Sequence, residues 1–210
     1  MLKHQKVLEY AGLKPGESEK AMIMVHGRGG NALDILGLAS HLQVRDFTLL
    51  APQATGNTWY PNSFMAPRRH NEPGLSSGLE VLEATLSELL DVGYAAEQIY
   101  FLGFSQGACL TVEFLATHPQ KYAGAFILSG GLIGDVLDEK LYAGTFQGTP
   151  MFFGITDRDP HVPLSRVEAS AKICESLGAA VTLEVYPGRP HGIYPEEIVR
   201  VNAMLTSDKV

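Results

Sequence analysis

A five-residue pattern near the middle of the chain, Gly103-Phe104-Ser105-Gln106-Gly107, limits what this sequence can fold into more than any other feature. Before it lie Ile99, Tyr100, Phe101 and Leu102, a short apolar run of β-formers, and after it Ala108, Leu110, Thr111, Phe114 and Leu115 recur at helical spacing. Strand, sharp turn and helix follow, the context in which G-x-S-x-G becomes a nucleophile elbow. A turn that tight leaves no room for a side chain at either glycine. It lifts the serine clear of the backbone at a helix N-terminus, where unpaired N–H groups and the helix dipole favour negative charge. Such a serine is placed to attack an acyl carbon.

The remaining chain alternates strands with helices. Strands are expected at 21–25, 47–51, 124–129, 151–155 and 181–186, with an edge strand around Val7, Leu8 and Tyr10. One helix is expected from an Asn31 cap, burying Leu33, Ile35, Leu36, Leu38 and Leu42, and another from Ser77 to Val92 on Leu79, Leu82, Leu86, Leu89 and Leu90. The elbow helix closes at His118-Pro119; two more carry Val167, Ala171, Ile173 and Leu177, and residues 195–205. This order predicts an α/β fold, a mostly parallel sheet with helices on both faces. The 210 residues read as one domain, 1–210.

A nucleophilic serine needs a base, and an acid to orient that base. In open α/β sheets such groups gather at the carboxyl ends of the strands. His191 follows one strand end; Asp157 and Asp159 follow another, and Asp135 a third, so spacing leaves three eligible acids. The strand at 21–25 runs into His26-Gly27-Arg28-Gly29-Gly30. As a phosphate cradle this turn lacks both the full G-x-G-x-x-G spacing and the Walker lysine. It suits an oxyanion hole better: where an elbow is used, one donor is a backbone N–H from this loop and the other belongs to the residue after the nucleophile, here Arg28 and Gln106. His26 reads as a structural residue that fixes the loop, and the Arg28 side chain as either solvated or attractive to an acidic substrate group.

The long stretch after Pro52 holds Trp59, Tyr60, Phe64 and Met65, which form either a hydrophobic cluster beneath the loop or a wall of the acyl pocket. Arg68, Arg69 and His70 read as a solvated corner, and His118 as a cation at a helix C-terminus. Leu132 and Ile133 leave a strand end beside the predicted site and are further pocket candidates. Residues 130–149 are too short and too broken by glycine for a cap domain, so an open site is expected.

Composition mainly excludes. With 16 Lys and Arg against 23 Asp and Glu, the net charge of −7 opposes nucleic acid and anionic membranes. No run approaches the ~18 apolar residues of a membrane span, and the N-terminus is too polar for a signal-peptide core, so a cytoplasmic protein is expected. Cys109 and Cys174 lie too far apart for a zinc ligand set and suit a reducing compartment. Cys109 reads as a small apolar filler facing the sheet. The expected partner is a small-molecule ester, with a homodimer left open and no metal or organic cofactor called for.

The chain resembles the phospholipase/carboxylesterase family of α/β-hydrolases, which includes bacterial carboxylesterases and acyl-protein thioesterases. V-H-G at 25–27, G-F-S-Q-G-A at 103–108, D-x-D-P-x-V-P at 157–163 and P-H-G at 190–192 carry the resemblance, which covers about Ala21 to Leu205. It implies an α/β-hydrolase fold with no cap domain, Ser105 as nucleophile, Asp159 as acid and His191 as base. Asp157 then becomes a turn-former whose carboxylate bonds local backbone. His161 stands where an apolar residue is often found and reads as neutral variation. The Gly-Arg-Gly-Gly turn is similar to small bacterial esterases and dienelactone-hydrolase-like members, although dienelactone hydrolases proper use cysteine at the elbow. The implied function is a serine carboxylesterase that hydrolyses small or short-chain esters through an acyl-enzyme. The alternatives are an acyl thioesterase or lysophospholipase, or a non-catalytic ligand-binding module, which would carry a broken triad.

Overall fold

The structure is a computed structural model that describes residues 2–206. Seven strands form one sheet: β1 (Leu8–Gly12), β2 (Lys20–Val25), β3 (Phe47–Pro52), β4 (Ile99–Phe104), β5 (Gly124–Leu128), β6 (Pro150–Thr156) and β7 (Ala180–Tyr186). Their spatial order is β1-β3-β2-β4-β5-β6-β7. Only β1 runs antiparallel, pairing Leu8 with Pro52 and Gly12 with Thr48; every other pairing is parallel. This is the α/β-hydrolase arrangement expected from the sequence.

The helices are α1 (Ala32–Leu36), α2 (Gly74–Val92), α3 (Gln106–Thr117), α4 (Leu164–Ser176) and α5 (Pro195–Thr206). Alternation along the strands sorts the core into two layers. Ala21, Ile23 and Val25 of β2 face one layer with Phe101 of β4 and Ile127 of β5, closed by α2, α3 and α4. Met22, Met24, Tyr100, Leu102 and Phe126 face the other, closed by α1 and α5. Both faces of the central strands are buried, so these strands read as continuous apolar runs.

The first helix departs from expectation. Asn31 caps it as predicted, with Asp34 reciprocating in a capping box, but α1 ends after five residues and continues as a 3₁₀ turn over Gly37–His41. Leu33, in the first turn of α1, faces outward at 64% exposure, while Ile35, Leu36 and Leu42 stay buried. In α2, Leu90 likewise faces solvent. Between β5 and β6 the backbone makes only a 3₁₀ turn at Glu139–Leu141, so no cap covers the carboxyl ends of the strands. No helix among the described residues is long and apolar enough to cross a membrane.

Candidate active site

The strand order reverses between β2 and β4, and the loops leaving these neighbours open the crevice where open sheets hold their ligands. Ser105 follows β4 with φ 54° and ψ −120°, a conformation few non-glycine residues adopt. The flanking glycines make this turn possible. A Cβ on Gly107 would lie 2.3 Å from the Val25 carbonyl oxygen, and one on Gly103 would lie 2.7 Å from Ala108 Cα. Ser105 N–H donates to Leu128 O at 2.9 Å, and its own carbonyl accepts from Cys109 N–H at 3.0 Å, which anchors the strained residue on both sides.

The loop after β7 brings His191 over this serine. His191 Nε2 lies 2.9 Å from Ser105 Oγ, and Nδ1 lies 2.5 Å from Asp159 Oδ2. Asp159 comes from the loop after β6, and its carboxylate is wholly buried, whereas the His191 side chain is 17% exposed. The second Asp159 oxygen accepts backbone N–H groups of His161 at 2.8 Å and Val162 at 3.0 Å. These bonds fix the orientation of the carboxylate. Phe104 stacks on the imidazole, with centroids 5.2 Å apart.

The other two aspartates lie elsewhere. Asp135 is exposed on the 130–149 segment. Asp157 was expected to bond local backbone; instead its carboxylate accepts Gly188 N–H at 2.7 Å, joining the loop after β6 to the loop that carries His191. The pairing of β6 with β7 explains this, because it sets Thr156 beside Tyr186 and brings the two loops out together.

Across the crevice, Arg28 and Gln106 are fastened by their side chains. Arg28 donates to the carbonyl oxygens of Pro61 at 3.0 Å, Tyr60 at 2.9 Å and Asn62 at 2.7 Å. Gln106 donates to Tyr60 O at 2.8 Å and accepts from Trp59 N–H at 2.9 Å. One carbonyl, that of Tyr60, thus receives both side chains. Neither the Arg28 N–H nor the Gln106 N–H donates to another backbone group among the described residues. His26 is buried, donates from Nδ1 to Gly27 O and accepts Ala54 N–H on Nε2; burial lowers its pKa and keeps it neutral. Both ring nitrogens are occupied, in keeping with a structural role.

A cavity of about 470 Å³ opens beside Ser105 and His191. Of the residues expected to line it, Tyr60 and Phe64 do and Trp59, Met65, Leu132 and Ile133 do not. Trp59 lies in the core with its indole N–H on His26 O at 2.9 Å, where it supports the loop from behind. Met65 points outward at 36% exposure. Leu132 and Ile133 are buried in the core, on the segment after β5 that Gly134 N–H ties to Phe64 O at 2.8 Å. The lining instead includes Cys109, Val162 and His161, none of them anticipated as pocket residues. Burial pushes the Cys109 thiol up to about 12, so it is no rival nucleophile. His161 meets His191 edge-on, with centroids 5.2 Å apart. Only its place directly after Asp159-Pro160 could have signalled this.

Arg68 forms no solvated corner. It pairs with the fully buried carboxylate of Glu113 on α3 and donates to Ile133 O at 3.1 Å. Glu113 also accepts Ile133 N–H at 2.9 Å and the Tyr142 hydroxyl at 3.2 Å.

Known proteins resemble this chain in sequence and in fold. Residues 13–207 match the family described as Phospholipase/Carboxylesterase. A phospholipase/carboxylesterase structure from Dyadobacter fermentans DSM 18053 superposes with a TM-score of 0.96 at 47% identity, covering 98% of this chain and 99% of that one. Acyl-protein thioesterase 1 of Saccharomyces cerevisiae is 28% identical over 86% of this chain and 89% of its own length. The Kluyveromyces lactis protein of the same name is 33% identical over 60% of this chain, a match spanning 56% of that protein.

Proposed function

The chain belongs to the phospholipase/carboxylesterase family, whose members hydrolyse ester bonds, and we propose that it is a serine carboxylesterase working through an acyl-enzyme, with Ser105, His191 and Asp159 as its catalytic residues. The observation that carries this reading is the 2.9 Å approach of His191 Nε2 to Ser105 Oγ, with Asp159 on the opposite ring nitrogen.

Ser105 Oγ attacks the ester carbonyl carbon while His191 Nε2 takes its proton. Asp159 accepts from His191 Nδ1–H, which fixes the tautomer and stabilises the imidazolium as it forms. The negative charge on the former carbonyl oxygen is met by the N–H groups of Arg28 and Gln106, with the α3 dipole behind the second. The tetrahedral adduct collapses, and the leaving alcohol takes the proton from His191. Water, deprotonated by the same histidine, then releases the acid and restores Ser105. An acyl thioester would follow the same steps with a thiol leaving group, which the acyl-protein thioesterase relatives keep as the second reading. The compact cavity and the outward turn of Met65 favour short acyl groups. We place the enzyme in the cytoplasm, in keeping with its two buried free thiols.

The test is hydrolysis of p-nitrophenyl esters from acetate to palmitate, with labelling by a fluorophosphonate. Turnover is expected to peak at short chains, and both labelling and turnover should vanish in Ser105→Ala, a loss on the order of 10⁶-fold in kcat by analogy with other serine hydrolases. Turnover that survives this substitution overturns the assignment, and a peak at long chains favours the lipid or thioester reading.

A further inference from the structure

We propose, resting on the ester-hydrolase reading above, that the cavity beside Ser105 selects esters bearing a carboxylate or similar anionic group, with Arg28 and His161 as the anchor. The cavity divides by burial: Tyr60, Phe64, Cys109 and Val162 are buried at its base, whereas Arg28, Asn62, Ser63 and His161 are exposed at its rim. Among the described residues, Arg28 is the only one lining the cavity with a permanent charge, and no aspartate or glutamate lines it. In a chain of net charge −7 this is a local reversal of sign at the mouth of the site. Asp159, the acid beside it, is turned inward with both oxygens occupied.

Arg28 is also held for this task. Its guanidinium has no carboxylate partner among the described residues, and it bonds three neutral carbonyl oxygens instead. Neutral acceptors fix the group without cancelling its charge. Of five guanidinium N–H donors, those three bonds leave two without a protein acceptor among the described residues. A cation already ordered loses little further freedom on binding an anion. His161 adds a second donor on the same cavity, since an imidazole carries an N–H in either protonation state. Its ring lies against His191, so an anion held there sits beside the reacting carbonyl. The low-dielectric base focuses the field of Arg28 towards the mouth, which raises the encounter rate of anionic over neutral esters.

Two matched pairs test this at low salt: p-nitrophenyl hydrogen adipate against p-nitrophenyl hexanoate, with the charge on the acyl side, and 4-acetoxybenzoate against 4-methylphenyl acetate, with the charge on the leaving group. Each rate is divided by that of alkaline hydrolysis. In at least one pair the anionic ester should lead by about tenfold or more in kcat/KM, and the lead should shrink at about 1 M salt, where the Debye length falls to about 3 Å. His161→Leu should lower the ratio and His161→Arg should restore or raise it, a reversal that a purely structural role for His161 would not give. Preference for the neutral member in both pairs, or a ratio indifferent to salt and to both variants, overturns the proposal while the esterase reading stands. No turnover of any ester together with no fluorophosphonate labelling overturns both.

Discussion

At the scale of single residues, the site rests on positions that only one side chain can fill. Gly107 packs against the Val25 and His26 carbonyl oxygens at distances no Cβ tolerates, and this steric demand made the elbow legible from five letters of sequence. The choice among aspartates was not legible that way, because three of them follow strand ends; it took the family resemblance, and the buried hydrogen bonds of Asp159 now give it a physical basis. Replacing Asp159 with Asn should keep the fold yet lower kcat by about 10⁴-fold, since an amide can present its N–H to Nδ1 and hold the wrong tautomer. Steady-state kinetics beside a thermal melt check this, and retention of a tenth of the activity would contradict it. His161 was read as neutral because nothing local in the sequence tells a residue beside the His191 imidazole from one facing solvent. Trp59 misled for the opposite reason: a large aromatic in a functional loop suits a pocket wall and a buried prop equally well, and its indole N–H found His26 O in the core.

Among elements, charge buried at helix surfaces sets what can be changed. Glu113 has a wholly buried side chain on α3, held by Arg68 from the pocket loop and by Ile133 and Tyr142 from the segment after β5. Arg68→Met leaves that carboxylate without its cation, and urea unfolding should show a loss of about 3 kcal/mol. A loss within error would mean that the remaining two bonds suffice. Periodicity announced α3 as a helix, but a helix buried on nearly all sides conceals which of its polar residues has a distant partner. Glu197 in the first turn of α5 offers a test by pH. It is buried over Gly154, accepts Tyr194 N–H at 2.8 Å, and burial raises its pKa from 4.5 to about 7. The folded state therefore holds this proton more tightly than the unfolded chain does. The resulting contribution is full below about pH 4.5 and is lost as pH rises through about 7, to roughly 3 kcal/mol at most. Glu197→Gln keeps the acceptor and removes the ionisation, so its melting temperature relative to the parent should climb between these pH values and then level off. A constant offset would show that Glu197 does not titrate there.

Over the whole molecule, the alternation of strand and helix disclosed the class of fold, because a strand buried on both faces and a helix with one apolar stripe differ in period. Strand order was not disclosed: β1 reaches the edge by pairing with β3, a contact across some forty residues that no local pattern encodes. Burial along the sheet predicts how stability is distributed. The amides of β2, β4 and β5 should exchange with solvent most slowly, while β1, β7 and residues 135–145 exchange faster, and uniform rates by native-state hydrogen exchange would contradict that gradient. The bare segment between β5 and β6 has a chemical consequence as well. With no roof over Ser105, an acyl group resting there on the proposed mechanism meets the medium as it comes, and any small alcohol that arrives competes with water for the transfer. Hydrolysis is then the outcome in dilute solution, and transesterification the outcome where hydroxyl compounds are abundant, the same enzyme breaking esters or exchanging them according to the company it keeps.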